Sequence, residues 1–341
     1  MNKKLKELQR IMESQFKTGN LMLLEDENPK DIEVIPSGIY SLDMKLGVGG
    51  IPRGRVIEFY GVPSGGKSSL ALYFAAEAQK LGLLVAYLDT EHSLDLSLAQ
   101  SLGVNIHELI FSQPDSGEQA LDLMEELARS GNIGLIVLDS VAALVPQAEI
   151  EGDMGESHMG LQARLMSQAL RKLTPVLSKT NTTALFLNQT RQKIGVFYGP
   201  NEVTSGGVAL KFYSSIRLEI RKGETIKNKD NPIGHFMIIK VVKNKVAVPF
   251  LSTEVPLIYG YGVDKVADIL DLAISLKIVD QSGAKHEYKG EKIAHGRSAT
   301  LNKIGETPEL LKKIIEDIEN VRKEKKTLQS VQEVDKEDTK G

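Results

Sequence analysis

Eight residues, Gly61-Val62-Pro63-Ser64-Gly65-Gly66-Lys67-Ser68, place three glycines, an ammonium and a hydroxyl in one short run. They match G-x-x-x-x-G-K-[ST], and they follow a strand-like segment and open a helical one. Glycines at these positions let backbone N–H groups converge on an anion at a helix N-terminus, where the dipole favours negative charge. Lys67 can reach the β- and γ-phosphates of a nucleotide, and the Ser68 hydroxyl, with Ser69 behind it, can face Mg²⁺. A glycine turn that merely starts a helix would not need the lysine. The chemistry expected is nucleoside triphosphate binding. Two carboxylates extend it. Asp139 ends the apolar run "LIVLD", where an acid can orient the metal shell directly or through water. Glu91 lies two residues beyond "LLVAYLD", at the carboxyl edge where ligands of such sheets collect. A carboxylate there can take the proton of an attacking water or hold that water in line. Asp89, at the same edge, competes for this role.

The elements that must hold these groups are legible from periodicity. "RVIEFYG", "LLVAYLD", "IGLIVLDS" and "TTALFLNQ" are apolar strands separated by helical stretches at 68–81, 117–130 and 161–179. That pattern predicts a mainly parallel sheet covered by helices on both faces. "SSIRLEIRKG" and "HFMIIKVVKNK" alternate as antiparallel strands do, so the sheet is expected to be mixed. Residues 1–33 read as a basic amphipathic helix, then a breaker and a strand, and residues 34–262 as the α/β core. Residues 263–325 read as a small α+β domain around a Gly- and Lys-rich loop, and 326–341 as a polar tail. A helix as short as the first is marginal alone and needs something to pack on, its own domain or a neighbouring copy.

Composition narrows the functional classes. The 341 residues carry 42 Lys plus Arg against 45 Asp plus Glu, a net charge of −3, which excludes a globally basic nucleic-acid binder but not a local basic groove. There is no cysteine, hence no disulfide framework and no thiolate metal site. "MNKKLKELQR" lacks the apolar region of a secretion signal, and no apolar run approaches the ~18 residues of a membrane span. The expectation is a cytoplasmic protein with no membrane partner.

Longer segments point further. "DTEHSLD", "LIVLDSVAALVPQAEIEGDMGESHMGLQARLMSQALRKLT", "FLNQTRQKIGV", "TSGGVALKFYSSIRLEIR" and "KVVKNKVAVPF" occur in order and at near-constant spacing. Over roughly residues 1–300 the chain resembles the bacterial RecA recombinase family. The resemblance implies a RecA-like P-loop NTPase fold with an N-terminal element that docks on the next protomer and a small C-terminal domain. It implies an ATP- and Mg²⁺-dependent helical filament on single-stranded DNA that pairs with and exchanges strands with a homologous duplex. Stimulation of a self-cleaving repressor is also implied.

Position by position, the resemblance makes residues 61–68 the phosphate loop, Glu91 the water-activating carboxylate and Asp139 the Mg²⁺-associated acid. Asp95 is placed beside the nucleotide, and Gln189 becomes the sensor of the γ-phosphate. Two long loops, 149–160 and 188–207, line the filament axis, with Met159 and Ile194 wedged between bases. Arg164, Arg191, Lys193 and Arg217 meet phosphates, and Gly206 and Gly207, at the end of the second loop, also contact the DNA. Lys243 and Lys245, at same-face strand spacing, act as fingers on a neighbour's ATP, and an edge strand guarded by lysines is the alternative reading of the residues alone. Lys211, Phe212 and Arg217 lie at the junction between protomers. Lys289, Lys292 and Arg297 are candidates for a duplex-DNA patch.

The chain also departs from the family. Ser68 replaces the usual threonine without changing the chemistry. Leu98 stands where an aromatic stacks on adenine, which predicts weaker or broader nucleotide selectivity. From Arg322 onward six basic and five acidic residues replace an often acidic tail. A helicase-type or phosphotransferase P-loop enzyme, and a nucleotide-switched scaffold, are the competing functional classes.

Overall fold

The computed structural model describes residues 3–16, 32–153, 160–192 and 202–338. The chain divides into two units, 1–33 and 34–341. In the first, α1 (Lys3–Phe16) is the expected amphipathic helix, with Leu8 and Ile11 exposed. Of the strand-like run expected from Ile32 onward, residues 34 and 35 form a strand and 32 and 33 do not.

The second unit begins with β1 (Val34–Ile35), α2 (Tyr40–Leu46) and β2 (Ile51–Pro52), then β3 (Val56–Gly61), α3 (Lys67–Lys80) and β4 (Leu84–Asp89). Next come α4 (Leu96–Ser101), β5 (Leu109–Ser112), α5 (Gly117–Arg129) and β6 (Ile133–Asp139). The helix α6 (Gln147–Glu151) precedes α7 (Leu161–Thr180), β7 (Thr183–Gln192), β8 (Glu202–Thr204) and α8 (Ala209–Tyr213). Local chemistry sets several boundaries. The Ser116 hydroxyl accepts from Gln119 N to start α5, and Asn181, in the left-handed region at φ 56°, closes α7.

The long strands β9 (Ile216–Asn228) and β10 (Asn231–Asn244) form a hairpin, and β11 (Ser252–Ile258) and β12 (Gly262–Val263) extend it. The sheet order is β12-β11-β10-β9-β3-β7-β6-β4-β5, with β8 paired to β7. Strands β9, β3, β7, β6, β4 and β5 run parallel, and the added strands antiparallel, so the sheet is mixed as expected. Its two faces bury separate apolar clusters. Ile57, Phe59, Phe74, Leu185 and Leu187 lie on one side and Ile136, Leu138, Met166 and Phe186 on the other. Each such side chain contributes roughly 1.5–3 kcal/mol by leaving water. The rigid parallel centre places the carboxyl ends of β3, β4, β6 and β7 side by side, and the functional groups lie there.

The C-terminal part contains α9 (Lys265–Ser275), β13 (Val279–Ser282), β14 (Lys285–Tyr288), β15 (Glu291–His295), α10 (Arg297–Glu306) and α11 (Pro308–Asp338). The stretch read from sequence as a Gly- and Lys-rich loop is a three-stranded antiparallel sheet. Gly283 (φ 60°) and Gly290 (φ 83°) serve its two hairpin turns. The polar tail continues α11 as far as Asp338. Among the described residues no helix is long and apolar enough to cross a membrane.

Candidate functional site

Gly61 ends β3 and Lys67 opens α3, so the phosphate loop runs from the sheet edge into a helix N-terminus. Gly61 (φ 154°) cannot be replaced freely, because a Cβ there would sit 2.0 Å from Ile220 O. Gly66 (φ 100°) precedes α3 in the left-handed region. Lys67 Nζ donates to Val62 O (2.8 Å) and Gly61 O (3.2 Å), folding its ammonium over the loop's own carbonyls. Burial lowers its pKa, and Asp139 and Glu91 oppose that shift. An ammonium held at a desolvated anion cradle gains most when a polyanion arrives.

Ser68 Oγ donates to Asp139 Oδ2 at 2.7 Å, and the buried Tyr87 hydroxyl donates to the same oxygen at 2.7 Å. Burial raises the Asp139 pKa, partly offset by these two donors. Glu91 Oε1 accepts from Gln189 Nε2 at 2.7 Å and from Ser140 Oγ. Pro63, Ser64, Gly66, Lys67, Ser68 and Ser69 line one cleft of about 420 Å³, and across it stand Glu91, Asp139, Gln189, His235, Leu257 and Tyr259.

These residues fit a triphosphate with its metal. Among the described residues no group of three or more His, Cys, Asp or Glu side chains could hold an ion by itself. One hydroxyl and one carboxylate suit Mg²⁺, which takes few protein ligands and completes its shell with water and substrate phosphates.

The two long loops spring from one place. Gln162, in the first turn of α7, donates through Nε2 to Val141 O and Leu144 O (both 2.9 Å) and accepts from Gly206 N at 3.1 Å. The start of α7 and the close of the β7–β8 hairpin are thus pinned together. Thr190, Arg191 and Gln192 pair with Thr204, Val203 and Glu202, so the second loop is a hairpin at its ends. Gly206 (φ 76°) and Gly207 (φ 77°) are crowded, with Cβ positions 2.7 Å from Val141 Cγ1 and 2.8 Å from Ala163 Cβ. Arg164 and Arg191 are exposed beside these bases. Met159, Lys193 and Ile194 lie outside the described residues.

Lys243 and Lys245 stand at the end of β10, and neither lines the cleft. Lys243 Nζ donates to Lys211 O (2.8 Å) and Phe212 O (3.0 Å) near the end of α8, while Phe212 itself is 67% exposed. Burial, then the neighbouring Lys245 and Arg217, push the Lys243 pKa down to about 8. That repulsion matches the same-face placement expected from their spacing.

Comparison with known proteins follows this geometry. The RecA N-terminal domain model matches residues 3–264 and the RecA C-terminal domain model residues 267–323. Protein RecA of Syntrophus aciditrophicus is 54% identical over 323 residues, 94% of each chain. Protein RecA of Geobacter metallireducens is 55% identical over 308 residues, 90% of this chain and 91% of that protein. Protein RecA of Deinococcus radiodurans is 53% identical over 304 residues, 89% and 84%. The chain belongs to the RecA family. It is therefore a DNA-dependent ATPase recombinase of recombination and repair, which binds ATP and DNA and forms filaments.

The structure places several of the residues assigned from the sequence. Asp89, the alternative to Glu91, is not among the residues lining the cleft. It is buried, and its Oδ2 accepts from Ser93 N (2.9 Å), Leu94 N (3.1 Å) and Gln113 Nε2 (3.2 Å), so it shapes the loop that presents Glu91. Asp95 does not line the cleft. Its Oδ1 accepts from Ser97 N (2.8 Å) and Leu98 N (3.1 Å), capping α4. Leu98 packs against the core.

Arg217 is corrected as a phosphate-meeting cation. Its side chain is buried, its Nε donates to the fully buried Glu58 Oε2 at 2.5 Å, and its guanidinium stacks 4.4 Å from the Tyr60 ring centroid. In the C-terminal part, Lys289 pairs with Asp317 (2.9 Å) and Arg297 with Asp271, so two of the three candidate duplex-patch cations are balanced locally. Sequence reasoning missed Ser140, His235, Leu257 and Tyr259. The last three reach the cleft only because β10 and β11 extend the sheet, and no spacing announces that.

Proposed function

We propose that this recombinase cleaves ATP at a site completed by two protomers, and that single-stranded DNA bound along the filament axis controls that cleavage. One observation carries the reading. The cleft gathers Lys67, Ser68, Asp139, Glu91 and Gln189, while the two cations best suited to a transferring phosphoryl group, Lys243 and Lys245, lie outside it. In a filament of copies those cations serve the cleft of a neighbour.

The phosphate loop N–H groups and Lys67 bind the triphosphate, and Ser68 and Asp139 would hold Mg²⁺, which would supply neutralising charge to the phosphate oxygens. Glu91 orients water in line with the γ-phosphate and accepts its proton. Gln189, hydrogen-bonded to Glu91, turns to the γ-phosphate and draws β7 and its hairpin with it. Arg164, Arg191 and Lys193 neutralise DNA phosphates, Met159 and Ile194 wedge between bases, and Lys211 and Phe212 transmit between protomers. The DNA is single-stranded and pairs with a homologous duplex. Family membership supports stimulation of a self-cleaving repressor by the same filament, which a cleavage assay with and without ATP and DNA tests.

Mixing Lys243→Ala protomers with Lys67→Ala protomers tests the shared site. Each variant alone is expected to be nearly inactive. Mixed filaments regain turnover at junctions where an intact phosphate loop meets intact cations. Well-formed mixed filaments with no regained turnover would remove the proposal.

A further inference from the structure

Glu58, Asn188 and Arg217 have no part in the chemistry described so far. Glu58 and Asn188 are fully buried, and Arg217 nearly so. A buried ion pair is weak evidence of stabilisation, since apolar residues of similar volume often serve as well or better. Its position is therefore informative. Glu58 lies on β3, three residues before the phosphate loop begins, and pairs in register with Arg217 on β9. Arg217 in turn faces Lys243 across the β9–β10 ladder.

Asn188 immediately precedes Gln189. Its Nδ2 donates to Glu58 Oε1 (3.0 Å) and to Ser205 O (3.0 Å), and its Oδ1 accepts from Gln189 N (2.9 Å). One side chain thus touches the sensor residue, the buried carboxylate and the closing end of the β7–β8 hairpin. From Glu91 the contacts run without a gap through Gln189, Asn188, Glu58 and Arg217 to the strand pair carrying Lys243. Lys243 then holds the carbonyls of Lys211 and Phe212.

We propose that Asn188, Glu58 and Arg217 form a positioning relay that couples the γ-phosphate sensor to both the DNA hairpin and the Lys243–Lys245 edge. This rests on the function proposed above. Asn188 Oδ1 holds the Gln189 backbone N–H and both Asn188 donor hydrogens are engaged, so a shift of the Gln189 backbone is passed to Glu58 and Ser205 through one side chain. The Glu58–Arg217 pair then moves together or loses a buried partner.

The test is the ratio of single-stranded DNA dissociation constants measured with ADP and with a non-hydrolysable ATP analogue. It uses the full chain, Asn188→Ala, and the neutralised double variant Glu58→Gln with Arg217→Gln, with the thermal midpoint recorded for each. The relay predicts analogue affinity within about twofold of the unmodified chain, with the DNA ratio reduced about tenfold or more. It also predicts that Gln189→Ala adds little further loss to Asn188→Ala, because the two act in one path. Folded variants that keep the ratio, or losses that simply add, would overturn the relay. A ratio near one in the unmodified chain would instead overturn the nucleotide-controlled DNA binding beneath it.

Discussion

Glu91 holds two donors, Ser140 and Gln189, on one carboxylate oxygen and leaves the other oxygen without a described protein donor. That arrangement fixes the side chain while keeping an acceptor for water. Glu91→Gln preserves shape and removes the base, so DNA binding in the presence of ATP is expected to persist while turnover falls roughly 10²–10⁴-fold. Lys67→Ala is expected to abolish nucleotide binding itself, as isothermal titration would show. Lys243 adds a pH dependence. Its pKa is held down at about 8, so the cation proposed to act in trans is lost as pH rises through that value. ATP turnover should decline above about pH 8 in the unmodified chain, and Lys243→Arg should flatten that limb because a guanidinium stays charged. The phosphate loop, Asp139 and Glu91 were legible because a motif or a strand end points to them, and Gln189 only through the family resemblance. Arg217 was not, since its partner Glu58 is 159 residues away in sequence and periodicity cannot show a buried carboxylate.

Among the elements, the parallel core was readable because each of its strands is a continuous apolar run between helices, a pattern with few other solutions. The β13–β15 sheet was not, because its strands of four or five residues are polar on one face and separated by glycine turns. Composition there looks like a loop. The hairpin at the ends of the second long loop shows how little slack such elements have. At Gly206 a side chain would meet both a left-handed backbone and Val141 Cγ1 at 2.7 Å. Gly206→Ala is expected to cost about 1–3 kcal/mol locally and to separate the two loop bases that Gln162 ties. Its signature is weakened single-stranded DNA binding with nucleotide affinity unchanged. Equal DNA affinity in the variant would mean that the hairpin base is not part of the DNA surface.

For the whole molecule, the join between the core and the C-terminal part rests on buried acids. Asp43 on α2 accepts from Ser37 N (2.9 Å) and Ser37 Oγ (2.8 Å), and Asp268 on α9 accepts from Ser41 N at 3.2 Å. Tyr40 and Met44 of α2 pack on the C-terminal cluster, so α2 belongs to both parts. Burial pushes the Asp43 pKa up to about 7 against its Ser37 donors, Arg322 pulls it down and Asp268 adds to the rise. Burial also raises Asp268. The folded chain therefore keeps a proton on Asp43 that the unfolded chain releases near pH 4. Between about pH 4 and 7 the unfolded state binds fewer protons, so this group's contribution makes stability fall as pH rises. Asp43→Asn keeps an acceptor for Ser37 and removes the titration. Compared with the unmodified chain, its thermal midpoint should drop less between pH 4.5 and 7.5, and the difference should vanish near the acid end of that range. Parallel melting curves for the two proteins would show that Asp43 is ionised throughout and that this join does not sense pH.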